Sequence, residues 1–370
     1  MTETTVDLLI VGQGVAGSAL AWQALRRQLR IHVISSPVDG PLSASQVGAG
    51  LITPITGSRL ALAWRFAEFR SSALDFYRFV ANETKRDCWR NRPALRWLTT
   101  AEEELWLSRC QKFPTSANYL QPIEQDLVAS REHGIQGPAG TKPYVMPEAA
   151  RVHLPVFLEA TEKWLMETSC ISRAEFKPCD LLWDEVACHW KWRSMTARRI
   201  VLCTGYTPEL IRLPFLAAKG ELMEIDLPGA RQDYSWHGGI WMTPQEQGRW
   251  LVGATYDPLH LDHKVTSQAR LELSQGLAQW SVKNPQILSQ QAAIRPAVPG
   301  QIPVIGWSLP ESILIGGPEV TWPQQKNCGL INGLGSRGAL WAPLLANWLL
   351  DAMAGQPLPP EIDLARFLRS

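Results

Sequence analysis

Residues 6–17 read Val6-Asp7-Leu8-Leu9-Ile10-Val11-Gly12-Gln13-Gly14-Val15-Ala16-Gly17, an apolar run of strand length that leads into a G-x-G-x-x-G turn. Ser18-Ala19-Leu20-Ala21-Trp22-Gln23-Ala24-Leu25 then has helical character, and Ile31-His32-Val33-Ile34 is a second strand-like run. Strand, glycine turn, helix and strand in this order are what dinucleotide binding needs. Gly12 permits the tight turn, Gly14 lets backbone approach a pyrophosphate, and Gly17 lets helix and strand pack closely. Val15 and Ala16 open a helix whose unpaired N–H groups face the phosphates. The alternative is an ordinary glycine-rich turn, and the correct flanks on both sides weigh against it. The second strand should end in Asp or Glu to accept hydrogen bonds from the adenosine ribose; here it ends in Ser35-Ser36. A hydroxyl carries no charge and makes a weaker contact. Asp39 substitutes only if its loop folds back, and no basic residue stands nearby to read a 2′-phosphate, so NADP is not favoured.

The 370 residues suit two intimate domains. Their net charge of +1 gives no electrostatic case for nucleic acid or an acidic membrane surface. The seventeen tryptophans are scattered and read as core and interface filling. Seven cysteines without a C-x-x-C pair imply neither a disulfide framework nor a zinc site, and favour a reducing compartment. No apolar stretch reaches membrane-spanning length, so the expected location is soluble and cytoplasmic.

Along the chain, residues 43–57 are small, glycine-containing and weakly polar, a stretch able to lie flat on a planar ligand or simply to connect. A long helix is expected over 59–84, a strand at 94–98, and a helix from Thr100 to Lys112. Leu154–Glu167 reads as a helix with Pro155 in its first turn. Strands are expected at 170–176, 187–193 and, returning to the first sheet as another βαβ-type element, Arg199–Gly205. Lys219–Ile225, Gly239–Met242 and Trp250–Thr255 look like antiparallel strands, followed by a helix capped by Thr266. The stretch Ile302–Gly306 and a strand at 313–315 precede a final glycine turn, Asn332–Gly338, which opens a helix through Leu350. The polar insertion 317–327 suggests no role.

Several separated motifs agree with one family. The Gly12–Gly17 loop, Val47–Gly57, Arg199–Gly205, Ala218–Glu221, Val252–Tyr256, Ile294–Pro296 with Pro303–Gly306, and Gly333–Gly338 resemble, in order, those of FAD-dependent oxidoreductases of the D-amino-acid-oxidase and glycine-oxidase type. The resemblance implies an α/β fold: a Rossmann-like FAD-binding domain of the glutathione-reductase type and a smaller α+β substrate domain on an antiparallel sheet. The first would comprise 1–86, 148–215 and 288–370, the second 87–147 and 216–287.

It also implies FAD as cofactor, bound through Gly12, Gly14, Val15, Ala16 and Gly17, with Ser35 and Ser36 at the ribose and Thr204 and Gly205 nearby. Gly48, Ala49, Gly50 and Leu51 would run beside the isoalloxazine. Gly333, Gly335, Ser336, Arg337 and Gly338 would close its pyrimidine end, where a helix N-terminus favours negative charge on reduced flavin. Arg295 stands where relatives clamp a substrate carboxylate, a task suited to a bidentate guanidinium; burial against carbonyls is the equal alternative. Arg337 is the second catalytic candidate, with a flavin-side role. Tyr256 and His237 read as a packed tyrosine and a surface histidine. Asp257, His260, Asp262 and His263 read as a polar turn, with no metal site.

The implied reaction is hydride transfer from Cα of a small amine or amino acid to flavin N5, with oxygen or another acceptor reoxidising the flavin. A tRNA-modifying flavin oxidase and a non-catalytic scaffold that has lost FAD are the rival readings. Oligomeric state is not legible.

Overall fold

The computed structural model describes residues 4–123, 137–227, 233–280, 282, 285–314 and 327–368. The opening strand, Thr4–Val11, is central to a parallel array ordered Ile171–Arg173, Ile31–Ser35, Thr4–Val11, Met195–Leu202, Cys328–Asn332. Its side chains alternate between two apolar layers. Leu8 and Ile10 pack with the first helix, Val15–Arg26, and the last, Gly338–Met353, while Leu9 and Val11 pack with Trp190 and Trp192. Burial on both faces is why these strands read as unbroken apolar runs.

The return to this sheet differs from a simple βαβ unit. The helix Leu154–Glu167 leads to Ile171–Arg173, and two antiparallel strands, Leu181–Asp184 and His189–Trp192, then feed Met195–Leu202. That pairing starts the strand at Met195, four residues before the expected Arg199. The helix expected from residue 59 begins at Phe66. Leu60 and Arg65 adopt left-handed backbone (φ 49° and 47°), which a right-handed helix cannot contain. A small hairpin, Ile55–Thr56 with Ala61–Leu62, takes up the difference. The helix Thr100–Lys112 is capped by Thr99, whose hydroxyl and the Glu102 carboxylate form a reciprocal box. In the described part of the strand expected at 313–315, Ile313 ends a 3₁₀ turn and Leu314 makes a single bridge to Ile211. Glu311–Ile313 is a 3₁₀ turn started by Pro310, with Ile313 N–H donating to Pro310 O at 3.0 Å, and Ile315 lies outside the described residues. So does the insertion 317–327, except Asn327.

The second sheet runs Gln286–Arg295, Ala218–Asp226, Arg249–Gly253, Ile240–Pro244, Ser235–Gly238, Ala94–Thr99, Thr141–Met146, Gln121–Pro122, antiparallel except where Ser235–Gly238 meets Ala94–Thr99. Gln286–Arg295 pairs along its length with Ala218–Asp226, which carries this sheet past the boundary expected at residue 288. On one face Trp97, Trp236, Trp250 and Trp280 pack under the helix Ser267–Gln279, with Trp97 and Trp280 centroids 4.8 Å apart. Tryptophan thus fills core here, as composition suggested. The other face meets the first sheet's loops through Val47, Leu222 and Ala293. All seven cysteines are free thiols. Among the described residues no helix is long and apolar enough to cross a membrane.

Candidate active site

The glycine turn is tight because nothing larger fits. Gly12 has φ +101°, and a Cβ there would lie 2.5 Å from the Cys203 carbonyl oxygen. A Cβ on Gly17 would overlap the Gly12 carbonyl. Gly14 stands at the helix N-cap without a side-chain cap, and Val15 N–H donates to Ser45 Oγ at 3.0 Å. Ser45 belongs to a one-turn helix, Ala44–Val47, fixed by a Ser43–Gln46 capping box. This brings the small-residue stretch directly onto the turn.

Gly50 needs positive φ (+68°), and a Cβ there would strike the Val152 carbonyl. Gly48 precedes the buried Ala49, whose carbonyl accepts from Arg151 Nε at 3.0 Å, and Leu51 begins a two-residue strand. Arg151 is itself buried and also donates to Pro244 O, so it joins this stretch to the second sheet. Burial, with Arg92 nearby, pulls its pKa down to about 10.

The last glycine turn closes on the same place. Asn332 donates to Gly205 O at 2.8 Å and accepts from Gly333 N–H at 2.7 Å, and Thr204 Oγ1 lies 2.7 Å from Thr207 Oγ1. Gly333 and Gly335 both have positive φ (+72° and +53°), and Ser336 is exposed. Arg337 donates to Thr56 Oγ1, and its guanidinium carbon lies 5.3 Å from the Trp341 ring centroid; burial lowers its pKa. A Cβ on Gly338 would come 2.7 Å from Val15 Cγ1. The three stretches singled out in the sequence, from Gly12 at one extreme to Gly338 at the other, therefore meet.

Ser35 is half-buried at the strand end, beside Arg173 of the neighbouring strand, and Ser36 is exposed. Arg173 is engaged by Glu162 at 2.6 Å. Asp39 is exposed in the next turn.

Arg295 ends its strand on the face turned toward the early loop. It donates through Nη2 to Thr255 O, lies over Gly220, and sits 5.9 Å from the Tyr256 ring centroid. No carboxylate among the described residues lies within ion-pairing distance of it, and burial lowers its pKa. The expectations for Tyr256 and His237 are both reversed. Tyr256, past the end of the strand Arg249–Gly253, is 67% exposed. His237 alternates inward beside Arg96; burial and that charge pull its pKa down to about 3, and its Nε2 is buried without a partner. Asp257 and His260 pair at 2.9 Å within a polar turn, and among the described residues no group of three His, Cys, Asp or Glu could hold a metal.

Sequence reasoning missed Ser45, Arg151 and the buried Lys219–Glu221 pair. Lys219 Nζ donates to Asp262 at 2.9 Å, and Glu221 accepts from Thr266 and Gln290 at 2.7–2.9 Å. The signal for the last was two opposite charges flanking a glycine at the start of the strand Ala218–Asp226.

Residues 7–352 match the model of the FAD-dependent oxidoreductase family. The chain belongs to that family. As a FAD-dependent oxidoreductase it is similar, at 25% identity over 98% of its length, to the tRNA 5-methylaminomethyl-2-thiouridine biosynthesis bifunctional protein MnmC of Magnetococcus marinus, of which the match covers 58%. It is 23% identical over 97% of its length to the bifunctional protein ThiO/ThiG of Synechocystis, covering 53% of that protein. The flavoprotein thus spans little more than half of these relatives. Among solved structures, glycine oxidase of Geobacillus kaustophilus superposes with a TM-score of 0.77 at 18% identity, covering 98% of each chain. Iminodiacetate oxidase of a Chelativorans species superposes at 0.74 and 18% identity, covering 96% of this chain and 97% of that one.

Proposed function

We propose that this oxidoreductase oxidises a C–N bond of a small amine or amino acid, with Arg295 holding the substrate carboxylate. The observation that carries this is the state of Arg295: a largely desolvated guanidinium, anchored at one nitrogen by a carbonyl and lacking an acidic partner among the described residues. Such a cation is stabilised by an incoming anion, and the planar fork suits a carboxylate.

The FAD seat has the chemistry its parts require. Gly12, Gly14 and Gly17 leave room for a pyrophosphate against the N–H groups of Val15 and Ala16. Gly48, Ala49, Gly50 and Leu51 would offer the ring flat backbone, and Gly333, Gly335, Ser336, Arg337 and Gly338 would close its other end. Gly205 braces that turn through Asn332, with Thr204 held to Thr207 beside it, and Ser35 and Ser36 would meet the ribose. In this division residues 1–86, 148–215 and 288–370 hold FAD and the rest hold substrate, with Gln286–Arg295 as the shared strand. FAD supplies a two-electron acceptor when bound. The residues orient the substrate, exclude water and set the local charge; Arg295 fixes one end of the substrate so that its Cα–H is presented consistently. The amine must be neutral for hydride to leave, and its ammonium proton goes to solvent before the substrate enters the site. Oxygen or another acceptor completes the turnover.

Anaerobic mixing of the FAD-loaded protein with a panel of amino acids and plain amines tests this: bleaching at about 450 nm identifies substrates. Failure of every amine and amino acid to bleach the band refutes it. A second reading follows from the MnmC likeness, a modified nucleoside side chain in tRNA as the amine. The net charge of +1 supplies little of the attraction that RNA binding uses. Bleaching by modified tRNA but not by free amino acids would favour it.

A further inference from the structure

We infer that Gly220 is a specificity-determining residue: its missing side chain is the seat on which the Arg295 guanidinium lies, and so sets the preference for carboxylated over plain amine substrates. This rests on the carboxylate-clamp reading of Arg295. Arg295 is opposite Ala218 in the ladder, and its side chain runs back along the neighbouring strand to cover Gly220. A Cβ built on Gly220 overlaps Nη2 and lies 2.6 Å from Cζ and 2.7 Å from Nε. The position has no positive φ, so backbone conformation does not call for glycine there. Clearance does.

The rest of the seat is rigid. Glu221 N–H donates to Thr255 Oγ1 at 2.9 Å and Thr255 N–H to Glu221 O at 3.3 Å, which fixes the Thr255 carbonyl that receives Nη2. Lys219 and Glu221 point to the opposite face, into the network with Asp262, Thr266 and Gln290. One face of Lys219-Gly220-Glu221 thus secures the loop, and the other leaves room for the guanidinium.

Gly220→Ala is accordingly a mild change for the fold, because the atoms it meets are the far end of a flexible side chain, yet it displaces the guanidinium. The experiment compares kcat/KM for an amino acid with that for its decarboxylated amine in parent, Gly220→Ala, Arg295→Ala and the double variant. The ratio is expected to fall on the order of 10–100-fold in Gly220→Ala, the worth of a charge-assisted hydrogen bond, chiefly through KM. It should fall at least as far in Arg295→Ala and no further in the double variant. Calorimetric titration of the flavin-loaded protein with benzoate should show the same order of weakening. If Arg295→Ala lowers the ratio and Gly220→Ala keeps the parent value, the seat is refuted while the clamp stands. If Arg295→Ala leaves the ratio unchanged, the clamp reading fails and the seat with it.

Discussion

Replacing Ser35 by Glu restores the charge that a dinucleotide-binding strand ordinarily carries at its end. Ser35 is half-buried and its Cα neighbour across the ladder is Arg173, whose guanidinium is already held by Glu162 at 2.6 Å and 2.9 Å. A carboxylate introduced there stays partly hydrated and faces no existing acid on its own strand, so its desolvation cost is small. A neutral hydroxyl bond to a ribose contributes about 0.5–1.5 kcal/mol and a bond to a charged group about 1.5–3 kcal/mol. The difference, about 1–2 kcal/mol, corresponds to roughly 5–30-fold tighter FAD binding. Apoprotein titrated with FAD, followed by quenching of flavin fluorescence, reads the dissociation constant. FMN serves as the internal control because it lacks the adenosine. Ser35→Glu should tighten FAD and leave FMN as it was. An unchanged FAD constant, or an equal gain for FMN, refutes the assignment of Ser35 to the ribose.

Arg337→Ala should lower the flavin midpoint potential, because a half-buried cation at the last turn is removed and negative charge on the reduced ring loses a partner; Arg337→Lys should restore part of it in a dye-coupled reduction. Gly17→Ala drives a methyl into the Gly12 carbonyl and should cost about 3 kcal/mol, read from the urea midpoint, together with loss of bound flavin. His32 provides the pH test. Burial holds its folded pKa at about 4 against an ordinary 6.5, so the unfolded chain binds the extra proton and stability falls as pH drops from about 6.5 to about 4. Between pH 7 and 4.5 the parent should lose about 2–3 kcal/mol more than His32→Gln, which lacks the titrating ring; equal losses by urea titration would assign the acid sensitivity elsewhere.

The parts of the fold that were legible are those fixed by local geometry. The opening strand and glycine turn, the Leu154–Glu167 helix and the Thr266 cap follow from apolar period, first-turn proline and capping chemistry, and the structure has each at the expected residues. The start of the Phe66–Thr84 helix was not legible, because left-handed backbone at Leu60 and Arg65 leaves no trace in residue type. Likewise the sequence spacing marked three candidate stretches but not the bonds that join them, Ser45 to Val15 and Arg337 to Thr56, since each pairs residues remote in the chain. Arg151 was invisible for a different reason. A buried arginine whose acceptors are main-chain carbonyls has no partner residue to signal it.

The pairing of first and last helices bears on how the polypeptide is made. Gln23 donates to the Pro343 carbonyl across 320 positions, and Arg27 pairs with Asp351 at 2.8 Å. At about 5–20 residues per second, translation separates these contacts by tens of seconds. Throughout that interval the nascent Rossmann unit lacks its fifth parallel strand and its capping helix, and exposes the apolar layer they later cover. Nucleotide capture therefore waits until the helix Gly338–Met353 has been made, because the binding seat is assembled from both ends of the described chain.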